Sequence, residues 1–260
     1  MSSIDFTSFD ALTFDCYGTL IDWETGILNA LRPILAAHAI GRDDEELLES
    51  YARHEVALEA GPYLVYRDVL AGALQKLGDE LEFSPSDEEL RAFSGSVIDW
   101  PAFEDSAAAL QKLKRRFGLG VITNCDDELF AASNSRLGVE FDWIITAQQA
   151  QSYKPNLRGF ELAFERIDVP RERILHVAQS LFHDHIPANQ IGMSSVWVDR
   201  RAGCEGSGAT PRANAQPDLT VPDMRTFAEL ATQGAPDGAL RRSSQQSSAG
   251  RVQFEATPTS

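Results

Sequence analysis

Short apolar runs bounded by polar residues or glycine recur along the chain at 11–14, 119–123, 143–146, 174–178 and 195–198. Their length and flanks are those of buried strands. Between them the apolar positions change to helical spacing. Leu110, Leu113 and Phe117 mark one side of 106–117, the stretch 128–137 behaves alike, and Phe160, Leu162, Ala163 and Phe164 do so in 159–167. Strands that alternate with helices predict an α/β fold with a doubly wound parallel sheet.

Residues 22–99 break this alternation, with four helical patterns and no convincing strand. The patterns predict helices over 23–38, 43–59, 63–78 and 86–98, separated by Gly41, Gly61-Pro62 and Ser84-Pro85. The expected organisation is therefore an α/β core made of 1–21 and 100–232, with an all-helical domain inserted at 22–99. The acidic run Asp43-Asp44-Glu45-Glu46 reads as a solvated first turn favoured by the helix dipole. Residues 233–260 are rich in Gly, Ser, Gln and Ala, and are expected to be a disordered tail because they offer little apolar surface to offset ordering entropy. No internal repeat is evident.

Charge and cysteine content narrow the class. A net charge of −16 opposes general nucleic-acid binding, which needs a basic surface. The longest apolar runs are far short of a membrane span, and the first residues lack a basic, apolar signal pattern. The expectation is a cytoplasmic protein with a small-molecule ligand, no nucleic acid and no membrane. Three cysteines without CxxC spacing indicate neither a disulfide framework nor structural zinc. Cys16 and Cys125, although beside functional motifs, read as small buried neighbours.

Four segments at strand ends carry candidate chemistry. Asp15 follows the run ending at Phe14, where Gly18 lets the backbone approach a ligand closely. The second strand delivers Thr123 and Asn124, a hydroxyl and a carboxamide suited to anions. Lys154 stands in a turn ahead of a helix, in Ser152-Tyr153-Lys154-Pro155. The fourth strand opens onto Gln179-Ser180-Leu181-Phe182-His183-Asp184. A parallel sheet gathers such strand ends into one crevice. His183-Asp184-His185 is not expected to bind metal, because adjacent residues on a helix or turn point apart, and His176 is expected at the core edge.

Aspartate, hydroxyl, lysine and aspartate in this order, with a helical insert after the first, resemble the haloacid dehalogenase superfamily over residues 9–230. Phosphatases of that superfamily carry Asp-x-Asp-Gly-Thr, whereas this chain has Tyr17 at the second acidic position. A phenol with an ordinary pKa near about 10 is a poor acid for a leaving alcohol. Asp-x-Tyr-Gly-Thr-Leu, Tyr153-Lys154-Pro155 and Val196-Trp197-Val198-Asp199-Arg200 are similar to the L-2-haloacid dehalogenase branch.

The resemblance implies Asp15 as nucleophile, Lys154 as its charge partner, Thr19 and Thr123 as donors to carboxylate oxygens, and Asp184 orienting Lys154 or polarising water. It also implies Tyr17, Asn124 and Ser180 as substrate contacts, and a halide-binding cap arginine, for which Arg53 is the best local match and Arg67 the next. Tyr66, Phe182 and Trp23 are candidate wall residues. No metal or other cofactor is expected, and members of this build are often homodimers.

Departures from the pattern leave two alternatives. Gln179 to Asp184 has the spacing of a phosphatase metal loop with glutamine in place of its magnesium-binding aspartate, so a phosphatase with a weakened Mg²⁺ site is one. A non-catalytic binding protein is the other. Phe160 also stands where dehalogenases tend to have Tyr.

Overall fold

A computed structural model of the chain describes residues 4–233. The tail expected at 233–260 lies outside this range apart from Gln233. The sheet is made of six parallel strands, β1 (Ala11–Phe14), β2 (Gly118–Thr123), β3 (Trp143–Thr146), β4 (Ile174–Ala178), β5 (Ser195–Val198) and β6 (Leu219–Val221), in the spatial order β3-β2-β1-β4-β5-β6. The chain runs outward from β1 to one edge and from β4 to the other. The order reverses between β1 and β4, and their carboxyl ends open a crevice there.

Five strands fall where the apolar runs predict them. The sixth does not announce itself, because β6 is three residues long and sits between Pro217 and Pro222.

After β1 the insert is helical: α1 (Trp23–Ala37), α2 (Asp44–Glu59), α3 (Tyr66–Glu80) and α4 (Asp87–Gly95), then a 3-10 turn over Ser96–Asp99. Three of the four carry a side-chain cap in their own sequence. Asp22 and Asp43 cap α1 and α2, and Ser86 with Glu89 forms a full capping box on α4. The start of α3 has no cap of its own, since Val65 precedes it. Asp126, from the loop after β2, accepts the Tyr66 and Arg67 N–H groups at 2.8 and 3.2 Å. A core loop thus completes a helix of the insert and fixes the distance between them.

The remaining helices are α5 (Ser106–Lys114), α6 (Asp127–Leu137), α7 (Ala147–Ala150), α8 (Arg158–Arg166), α9 (Ile186–Gln190) and α10 (Met224–Thr232). Helix α5 stops short of the predicted Phe117, as the chain must straighten to enter β2 at Gly118. Among the described residues no helix is long and apolar enough to cross a membrane.

Candidate active site

Asp15 is the first residue past β1, and its backbone N–H still donates to Val177 O of β4 at 3.1 Å. After it the chain turns tightly. Leu20 and Ile21 N–H return to Cys16 O, and Gly18 adopts φ +93° with its N–H on Ile21 O. A side chain at Gly18 would be strained at that angle, and a Cβ there would stand 3.1 Å from both Gln179 Oε1 and Trp23 Nε1. The turn aims Thr19 back at Asp15, and its hydroxyl donates to Asp15 Oδ2 at 2.7 Å. That hydroxyl in turn accepts the Gln179 N–H at 2.9 Å, locking the first loop to the fourth.

Lys154 holds the other oxygen. Its ammonium, 3% exposed, donates to Asp15 Oδ1 at 2.8 Å, Asp184 Oδ1 at 2.6 Å and Ile122 O at 2.9 Å. An ammonium has three N–H groups, so all are engaged. Asn124 sets the lysine in place: its Oδ1 accepts Lys154 N–H at 2.7 Å and its Nδ2 donates to Lys154 O at 3.1 Å, beside the cis Lys154–Pro155 bond.

Behind this trio is a second layer that the sequence reading misses. His176, fully buried in the middle of β4, lies 2.9 Å from Asp184 Oδ1 through Nε2 and 2.9 Å from the Thr13 hydroxyl through Nδ1. An Nε2–H tautomer satisfies both contacts, with Thr13 donating to Nδ1. His176 is thus not a core-edge residue but the brace of Asp184. A polar pair, Thr13 opposite His176, within two otherwise apolar strands is the signal that exposes it. Phe160 packs its edge against the same ring, with centroids 5.2 Å apart.

The electrostatics follow from burial and pairing. Burial pushes the Asp15 carboxyl upward, while Lys154 and the Thr19 hydroxyl oppose it. Burial acts against Asp184 too, but Lys154 and His176 outweigh it and hold this carboxyl well below the usual range. Lys154 is raised by its two carboxylates in spite of its own desolvation. The site is a compact −, +, − array in which only Asp184 Oδ2 is left buried with no partner.

A small cavity of about 30 Å³ opens onto this array, lined by Asp15, Lys154, Asp184, Asn124, Ser180 and His183 from the core, with Glu55, Glu59 and Tyr66 above them. Tyr17 also lines it, but its hydroxyl is turned away to Ser133 Oγ at 2.9 Å and Cys125 Sγ at 3.3 Å. Ser180 receives the His183 N–H at 2.9 Å and lies 3.0 Å from His183 Nδ1. Thr123 ends β2 with a buried hydroxyl that has no partner and does not line the cavity.

The expectation for Arg53 is wrong. Its side chain is 60% exposed and pairs with Glu80 on the outside of the helices, and Arg67 is turned to Glu128; neither lines the cavity. Tyr51, Glu55 and Glu59, four residues apart on α2, form the inward face, and Arg53 lies on another.

Residues 181–185 form one wide turn in which the three polar side chains diverge. His183 faces the cavity, Asp184 takes Lys154, and His185 lies against Ser195 Oγ and Ala178 O. The donor set does not fit a divalent ion between the carboxylates, since Lys154 bridges them and Gln179 Oε1 accepts the Thr210 hydroxyl at 3.1 Å.

An aspartate thus stands at the switch point of a parallel sheet, paired with lysine and covered by a helical insert. The chain belongs to the haloacid dehalogenase-like hydrolases, whose family model matches residues 9–181. It is 27% identical to a (S)-2-haloacid dehalogenase of Pseudomonas putida over 86% of this chain and 95% of that protein. It is 25% identical to haloacetate dehalogenase H-2 of a Moraxella species over 85% and 97%. Its fold matches the L-2-haloacid dehalogenase of Xanthobacter autotrophicus, solved with chloropropionic acid covalently bound, with a TM-score of 0.72 at 19% identity, covering 87% of this chain and 100% of that one.

Proposed function

We propose that the chain is a hydrolytic dehalogenase that converts a 2-haloalkanoic acid to the 2-hydroxy acid through an ester on Asp15. The observation that carries this is the Asp15 carboxylate held by Lys154 on one oxygen and Thr19 on the other, at the mouth of a small cavity. Asp15 attacks C2 from the side opposite the halogen. The carbon-oxygen bond forms as the carbon-halogen bond breaks, and the halide leaves with its electron pair. Halide needs hydrogen-bond donors but no proton, so Tyr17 in the general-acid position is no obstacle. Water then adds to the Asp15 carbonyl carbon. Asp184 lines the cavity and its Oδ2 is buried without a partner, so it is the acceptor for the proton of that water. Lys154 and His176 hold it in the ionised form that can accept a proton, at some expense of its basicity. Collapse expels the alkoxide, which takes the proton from Asp184 and leaves as the 2-hydroxy acid; the remaining proton passes to solvent and Asp15 is again a carboxylate.

The first test is single-turnover hydrolysis of 2-chloropropionate in ¹⁸O water. Label is expected in Asp15, because water attacks the enzyme ester; label only in the first-turnover product sinks the covalent route. Asp15→Asn should lose halide release entirely while keeping the fold. Strict magnesium dependence with release of inorganic phosphate would instead support a phosphatase.

A further inference from the structure

The cavity has no arginine among its lining residues, and the ammonium of Lys154 has no hydrogen left to give. A haloalkanoate entering it nevertheless has a carboxylate to satisfy, beside Asp15 and Asp184. The wall that faces these residues is itself made of carboxyl groups. Glu55 and Glu59 stand one turn apart on the inward face of α2, with Glu55 2% exposed and the Glu59 side chain 6% exposed. They are not equivalent. Both phenols nearby, Tyr51 and Tyr66, donate to Glu55 Oε1, at 2.7 and 2.8 Å. Those bonds favour the ionised form of Glu55. Glu59 receives only a long contact from Asn124 Nδ2 at 3.3 to 3.4 Å, with His183 Nε2 at 3.9 Å.

Resting on the dehalogenase reading, we infer that Glu59 is the specificity-determining group of this site and binds the substrate carboxylate as a neutral acid, donating its proton in a carboxyl-to-carboxylate hydrogen bond where an arginine would otherwise serve. Two acidic groups that share a buried wall cannot both ionise cheaply, and the one with the weaker donor keeps its proton. The direction of titration agrees. Burial, then the charge of Glu55, pushes Glu59 well above the carboxyl range, whereas burial takes Glu55 to about 7 against its tyrosines. His183 Nε2, buried and without a partner, is a second donor available to the same anion if Ser180 donates to Nδ1.

A pH test must separate Glu59 from everything facing it. These groups are Glu55 on α2, Tyr66 on α3, Asn124 after β2, Tyr153 and Lys154 after β3, His183 and Asp184 after β4, and Asp15 after β1. Burial lowers His183 to about 4, so it stays neutral throughout the working range.

The experiment is KM and kcat for 2-chloropropionate against pH in the wild type, Glu59→Gln and Glu55→Gln. Above the titration of Glu59 the wild-type KM should climb by up to about tenfold per pH unit, as the binding form is lost. Glu59→Gln, an amide that donates at every pH, should hold KM flat, while Glu55→Gln should still show the climb. A flat wild-type KM, or a climb that survives in Glu59→Gln and vanishes in Glu55→Gln, overturns the inference. Calorimetry of lactate binding in buffers of different ionisation enthalpy reads the same linkage without turnover. Proton uptake by the wild type on the alkaline side, absent in Glu59→Gln, supports the inference even in a preparation that releases no halide; binding without proton uptake overturns it. Absence of halide release at any pH would count against the dehalogenase reading alone.

Discussion

At the scale of single residues, the fold separates groups that line the cavity from groups that only look eligible by sequence. Arg53 is the clearest of the second kind. Its guanidinium is on the outer surface with Glu80, and exposed pairs of this sort contribute from nothing to about 1 kcal/mol. Arg53→Ala is therefore expected to leave kcat and KM for 2-chloropropionate near the wild type, with a small change in the urea midpoint. A collapse of kcat in that variant would mean that α2 turns to bring Arg53 inward when substrate binds. The error has a plain physical source. A local match in composition says nothing about which way a helix faces, and a rotation of two residues carries a side chain to the opposite surface. Glu55, which the sequence reading passes over, could have been found by that same geometry: with Leu47, Leu48 and Tyr51 it shares the buried face of α2, and an acid on an apolar face calls for a function.

At the scale of elements, the helical insert is fixed to the core by packing as well as by capping. Gly26 of α1 lies against Trp100, the residue after the 3-10 turn at Ser96–Asp99, and Trp100 rests edge-on against Tyr17 with ring centroids 5.6 Å apart. A Cβ at Gly26 would fall 2.3 Å from Trp100 Cγ. Alanine is the better helix former by about 1 kcal/mol, but that gain cannot offset a clash with a fully buried indole, since overpacking typically costs about 1 to 3 kcal/mol and occasionally more. Gly26→Ala should thus lower stability, and urea unfolding reads it directly; an unchanged or higher midpoint would show that Trp100 moves freely.

The same elements show what a sequence discloses. Strands β1 to β5 were readable because strands of an all-parallel sheet, covered on both faces, are largely apolar runs. Helix α10 was not, although Met224, Phe227, Ala228 and Ala231 recur at helical spacing, because two of the four are alanines and the strand before it is only three residues long. The four strand ends that meet at the cavity were readable as an ordered set. Of the wall opposite them, Tyr66 and Trp23 were named from the sequence, but Glu55 and Glu59 were not, because only the fold brings that face of α2 over the crevice.

At the scale of the whole molecule, the buried titratable groups of the site tie stability to pH, and their effects oppose one another. Burial lowers His183 and His185 from 6.5 to about 4, so between these values the unfolded chain binds more protons than the folded one. That contribution makes stability rise with pH. Glu55, taken from 4.5 to about 7, and Glu59, taken well above 4.5, have folded pKa values raised above their unfolded ones. Their contribution is fully present below about pH 4.5 and is lost as pH rises through the folded values. Two histidines and two glutamates therefore pull in opposite directions across the window from about 4.5 to 6.5.

Glu59→Gln removes one member of the falling pair while leaving an acceptor for Asn124 Nδ2. Its stability relative to the wild type should grow as pH rises from about 4.5, by at most about 1.4 kcal/mol per pH unit, and level off once Glu59 ionises in the folded wild type. At neutral pH the variant should be the more stable protein, which is the expected relation when a binding site retains a carboxyl group the fold would do better without. Urea midpoints of the two proteins measured across that window decide the matter. Parallel curves would mean that Glu59 is ionised in the folded state, and a neutral acid in the wall of the cavity would no longer be tenable.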